Sequence, residues 1–329
     1  MWHGNSAKMS EVTNTGMGRR SKRMPGMGFP IVLMMVLLLA ACSMKKTAAN
    51  IVGDTLAGSG GVYASDDDPE LIREAIPFGL KTYESLLEVS PEHEGILLAA
   101  ASGFTVYAFM LQGDADRLDA TDLPQARQMR TRALKLYLRG RDYALRGLEV
   151  EHLHFTAILK TDRNSALAMT TEDDVSFLYW AGASWAGALS AAKDDLDLIA
   201  ELPTAGALVG RVLELDETYD LGAAHEFFIS YEGSRPGGSA QRAREHYRRA
   251  IEISDGQRAS VYLALAEAVS VREQNLPEFR ALIAAVLAVD PDQVPNLRLA
   301  NIIAQRRARW LQTRIPDLFL EAEYTEEVQ

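Results

Sequence analysis

A single cysteine stands among 329 residues, so no disulfide can form within the chain and packing must supply its stability. Runs that alternate β-branched or aromatic residues with polar ones, the mark of half-buried strands, are nearly absent. No long apolar run follows the one near the start, so the body reads as a soluble domain. A phosphate-cradling glycine loop with its lysine is missing, which removes nucleotide hydrolysis as an energy source. Metal-ligand spacing is missing too. His152 and His154 lie two apart, about 200° around a helix, and His225 and His246 have no spaced cysteine or histidine partners. No activated nucleophile or catalytic carboxylate pair can be assembled, so the chain is not read as an enzyme, and no cofactor or metal is expected. Positive charge is scarce. The chain has 34 Lys and Arg against 45 Asp and Glu, a net charge of −11, which argues against nucleic acid as a partner.

What is present begins with Arg19, Arg20, Lys22 and Arg23, followed by thirteen mostly apolar residues, Phe29 to Ala41. A spanning helix needs about 20 apolar residues, so this run is short for a membrane span and has the layout of a secretory signal. Leu39-Ala40-Ala41-Cys42 resembles the bacterial lipobox, in which cleavage leaves the cysteine as first residue, carrying a thioether-linked lipid and further acyl chains such as palmitate. The thiolate is the nucleophile this chemistry needs, and one suffices. Two or three chains at about 0.8 kcal/mol per buried methylene make attachment effectively permanent. Ser43, in place of aspartate, favours the outer membrane under the bacterial sorting rule. The expected organisation is a signal peptide over 1–41, a lipidated start and flexible tether over 42–62 containing Gly58-Ser59-Gly60-Gly61, and a helical domain over 63–329. Residues 1–41 hold five of the Lys and Arg and one of the Asp and Glu, so the remainder has 29 basic and 44 acidic residues, net −15. The expected location is the periplasm, with the membrane reached through the lipid alone.

Beyond Tyr63 the periodicity is helical. Asp68 before Pro69 marks a helix start, Pro77 is expected to kink or divide that helix, and a second is expected over about Glu94 to Leu111. A small, bulky, small, breaker spacing recurs. It fits Gly79, Tyr83, Leu86, Pro91, and again Ala243, Tyr247, Ala250, Asp255; larger residues keep it at Phe279, Ile283, Val286, Pro291. Looser echoes start at Gly140 and Ala205, and successive starts are 61, 65, 38 and 36 residues apart. The tetratricopeptide repeat is about 34 residues long, so two intervals are near one repeat and two near a double one. The fold class is therefore all-α, a cryptic tetratricopeptide-like helical repeat superhelix with a concave binding face.

The lipobox, the run Ala57 to Leu71, and the short motifs Ala101–Phe104, Phe177–Trp180, His225–Phe228 and Pro236–Gly238 together resemble the T-component lipoproteins of TRAP transporters. The resemblance spans the chain after Cys42. It implies a homotrimer with a central pore, docking of the soluble solute-binding protein of the same transporter, and a small apolar or amphipathic ligand. A general repeat scaffold for cell-envelope assembly is the alternative role.

Four aromatics, Phe177, Tyr179, Trp180 and Trp185, crowd among alanines and glycines. Helical spacing gathers Phe177, Trp180 and Trp185 on one side, where they either line a ligand cavity or pore or form ordinary core. The glycine-rich loop Tyr231–Gly238 reads as a turn whose Arg235 is a candidate contact for a partner. Arg306, Arg307, Arg309 and Arg314 surround Trp310 near the end of the chain. They read equally as cations at a helix C-terminus and as a docking patch.

Overall fold

A computed structural model describes residues 49–58 and 60–320; the expected lipid site Cys42 and the cleavage residues Leu39, Ala40 and Ala41 lie outside them. The described residues contain helices and no strand, an all-α protein. Ten principal helices are α1 (Pro69–Leu87), α2 (Glu94–Leu118), α3 (Leu123–Glu151), α4 (Val175–Ala191), α5 (Leu202–Leu215), α6 (Tyr219–Ser234), α7 (Ala240–Ile253), α8 (Ala259–Leu265), α9 (Leu276–Ala288) and α10 (Arg298–Thr313).

Local chemistry sets the boundaries. The Asp68 carboxylate accepts from the backbone N–H groups of Glu70 and Leu71 at 3.0 Å, with Pro69 in the first turn of α1. Asp122 caps α3 and Asn275 caps α9 in the same way. Pro77 does not divide α1, which runs through it. Ile72, Ile76, Leu80 and Leu87 bury one continuous stripe, and that burial outweighs the one hydrogen bond a proline removes. The second helix runs seven residues past its expected end, to Leu118. It is long and apolar enough to cross a membrane, but 56% of the qualifying window is buried inside the protein, so its apolar surface serves as core. The expected tether is also ordered where described. Residues 49–57 and Gly60–Ala64 are helical, and Gly53 sits against Ile96 and His93 at the start of α2. Its glycines join helices there, because a partner surface covers them.

Consecutive helices pair: α2 with α3, α4 with α5, α6 with α7, and α8 with α9. The spaced anchors of the sequence fall on the second helix of each pair. Ala205, Val209 and Val212 are fully buried on α5, as are Ala243 and Ala250 on α7 and Phe279 and Val286 on α9. Each buried valine is worth about 1.5–3 kcal/mol over an exposed one. Two apolar clusters result, one built mainly from α1–α5 and one from α6–α10, with α6 contributing Ala224 to the first and Ile229 to the second. The last helix returns to the first. α10 packs against Gly60–Ala64 and α1, and Arg306 pairs with Glu70.

Candidate functional site

The seam between the two clusters holds the densest polar chemistry. It starts at an unusual backbone. Asp220, Leu221 and Gly222 have φ of 43°, 54° and 85°, three successive left-handed residues at the start of α6. Glycine adopts this conformation freely; the two before it pay for their Cβ atoms, roughly 1–2 kcal/mol each. Arg258, at the cap of α8 and 9% exposed, grips this turn. Its Nη1 donates to the Asp220 carbonyl at 2.7 Å, both Nη atoms lie 3.2 Å from Asp220 Oδ2, and Nε donates to Glu226. Burial works against the guanidinium's charge, but Glu226 and Asp220 more than offset it and raise its pKa.

The α4 aromatics divide at this seam. Tyr179 and Trp180 are partly buried and meet edge to face at 5.3 Å, and Tyr179 lies 5.4 Å from Tyr219, the residue before the left-handed turn. Burial pushes both tyrosine hydroxyls up from their usual range. Phe177 and Trp185 are 8% and 6% exposed. The Phe177 ring fills the space where a Cβ on Gly147 would sit, at 2.1 Å. The Trp185 indole donates to Glu201 at 2.7 Å, under the Arg141 guanidinium. Five residues separate Trp180 from Trp185, about 140° of helix, so the two indoles do not share the side on which spacing seemed to gather them.

Next to the turn, α6 and α7 are joined by a histidine pair. His225 Nε2 lies 3.1 Å from Glu217 Oε1, and its Nδ1 lies 2.9 Å from His246 Nδ1. A carboxylate only accepts, so His225 donates from Nε2 and accepts at Nδ1 from His246. Glu217 also takes two hydrogen bonds from Arg249 at 2.7 Å, and with these it falls to a pKa of about 2. Burial lowers both imidazoles, and the neighbouring His225 helps bring His246 to about 4. Both rings are neutral at pH 7. His246 stacks on Phe228 at 5.0 Å. Sequence reading met these histidines singly; 21 residues separate them, and only the α6–α7 pairing brings them together.

The expected docking residues are dispersed. Arg235 donates to Glu232 at 2.7 Å and lies over the Tyr231 ring, while Arg242 and the Ser239 N–H complete the set around that buried carboxylate. The loop turns at Gly237, φ 71°. Arg306 is exposed and reaches α1. Arg307 points inward, donating to Glu267 at 2.8 and 3.0 Å and lying 3.0 Å from Asp116, with its guanidinium 4.4 Å from the Trp310 ring. Arg314 covers the same indole at 5.6 Å, and Arg309 is exposed. Glu267 belongs to a π-helical turn, Ala266–Ser270, that continues α8. Of the seam, the aromatics and Arg307 were legible in sequence. Arg258 and the Asp220–Gly222 turn were not, since Gly222 is the one local sign of a left-handed backbone.

The arrangement binds and positions; its carboxylates are occupied by arginines and its histidines by each other. A family model described as TRAP transporter T-component matches residues 65–319. An uncharacterized protein of Treponema pallidum (strain Nichols) is 28% identical over 307 residues, covering 87% of this chain and 95% of that protein.

Proposed function

The chain belongs to the TRAP transporter T-component family, an accessory component of such transporters rather than an enzyme family, and on that premise we propose that it docks the solute-binding protein of its transporter. The proposal includes a homotrimer, held at a bacterial membrane through lipid on Cys42 and facing the periplasm. It includes a tetratricopeptide-like reading of the paired helices, supported by anchors that fall on the second helix of successive pairs. It also gives the body a small apolar or amphipathic ligand, for which the half-buried Tyr179 and Trp180 at the seam are the candidate wall. The observation that carries the reading is the family match across residues 65–319. The test is affinity purification of the full-length chain from native membranes in mild detergent. The TRAP solute-binding protein is expected to come with it in stoichiometric amount; its absence, with folded chain recovered, ends the docking role.

A further inference from the structure

Helix α2 lies between α1 and α3 and packs against both. At one level of α2 the two flanking helices are tied together. Glu84 of α1 accepts from the Tyr143 hydroxyl of α3 at 2.9 Å and pairs with Arg139, whose guanidinium lies 4.9 Å over the Phe104 ring. One to two turns further along α2 a cleft of about 340 Å³ opens. Tyr107 and Leu111 of α2, both buried, and Met129 of α3 give it an apolar floor. Gln125, Gln128 and Arg132 of α3 line one side, and Arg73 of α1 the other.

The charges in the cleft do not cancel. Arg73 pairs with Asp114, which also takes Arg117. Arg132 is different. Its Nη2 donates to the Tyr107 hydroxyl at 3.0 Å and its guanidinium lies 5.4 Å from that ring, but no carboxylate among the described residues lies within 4.0 Å of it. In an acidic chain this is a cation held in place by an aromatic face, with most of its N–H donors unused. Two glutamine side chains beside it offer further neutral donors.

We propose that this cleft binds a small monocarboxylate with an apolar body. One surplus guanidinium matches one negative charge, and its planar fork fits a carboxylate through two parallel hydrogen bonds. A phosphate dianion calls for a second free cation that the cleft does not supply. The volume lies at the lower end of the range for small-ligand sites, roughly 300–1,000 Å³, which favours a compact acid over a protein segment. The inference holds whether or not the chain docks a solute-binding protein.

The test uses the full-length chain in phosphatidylcholine nanodiscs and saturation-transfer NMR titrations with sodium benzoate, sodium hexanoate and, as a neutral shape match, benzamide. Both acids are expected to bind saturably at millimolar concentration or better, with benzamide at least tenfold weaker. Arg132→Gln, at an exposed position, is expected to weaken the acids roughly ten- to a hundredfold, the value of a charge-assisted hydrogen bond. Gln128→Glu places a competing carboxylate one helical turn from Arg132 and is expected to weaken them similarly. Equal binding of benzoate and benzamide, acid binding unchanged in Arg132→Gln, no saturable acid binding, or binding of polyglutamate in place of either small acid each overturns the proposal.

Discussion

Arg258 is the residue on which the seam depends, because it satisfies a strained turn and two carboxylates at once. Removing it leaves Glu226 and Asp220 uncompensated. Arg258→Met is expected to cost about 3 kcal/mol, measured by urea unfolding. Arg258→Lys keeps the charge without the fork and is expected to fall between that variant and the natural chain. The histidine pair sets a pH dependence. Both imidazoles hold protons less tightly folded than unfolded, so acid favours the unfolded chain. Stability is therefore complete above about pH 6.5, the free imidazole value, and falls as the pH drops toward 4. Below 4.5 the depressed Glu217 carboxyl adds to the loss. Nearby Arg249, Arg242, Glu232 and Glu245 stay charged across most of that window. The difference in urea midpoint between pH 7.5 and 5 is expected to shrink in His246→Gln, which removes one titrating ring.

Helix packing in this protein relies on close approach at particular points. Gly147 of α3 leaves room for the Phe177 ring of α4, and a Cβ there meets three ring carbons at 2.1–2.5 Å. Gly147→Val is expected to destabilise by about 2–3 kcal/mol and to lower the melting temperature. Gly113 of α2 is the control: nothing lies within 4 Å of its Cβ position. Gly113→Ala is expected to stabilise by about 0.5–1 kcal/mol through the unfolded chain's lost freedom. The π-helical turn after α8 has a visible use. It presents Glu267 to Arg307, and its Ala268 packs beneath Gly233 of α6.

At the scale of the whole molecule, the described helices do not run on as an open line. Arg306 ties α10 to α1, and Arg307 ties it to α2 and to the π-helical turn. The two contacts differ in burial and should differ in effect. Arg306→Ala breaks an exposed pair and is expected to change stability by about 0.5 kcal/mol or less in a thermal melt. Arg307→Ala also loses its cover over Trp310 and strands Glu267, so a loss of about 2 kcal/mol or more is expected. Membrane attachment is tested at this scale too. Under the proposed lipid anchor, Cys42→Ala is expected to move the protein from the membrane fraction to the soluble one; retention in the membrane counts against it.

Sequence by itself determined the class of fold and most of the packing stripes, because helix periodicity, caps and small-residue spacing are local and survive without knowledge of neighbours. Asp68 and Pro69, or Ala205, Val209 and Val212, need no partner to be read. Tertiary structure decided what each exposed-looking charge and aromatic does. Arg258 lies 38 residues from Asp220, and Arg306 lies 236 from Glu70. Contacts at that separation come from how helix pairs stack, and a run of arginines read along the chain disperses once successive residues point 100° apart. The same reason turned the glycine-rich start at 49–64 from a tether into helix, since a segment's order depends on whether another surface is there to bury it.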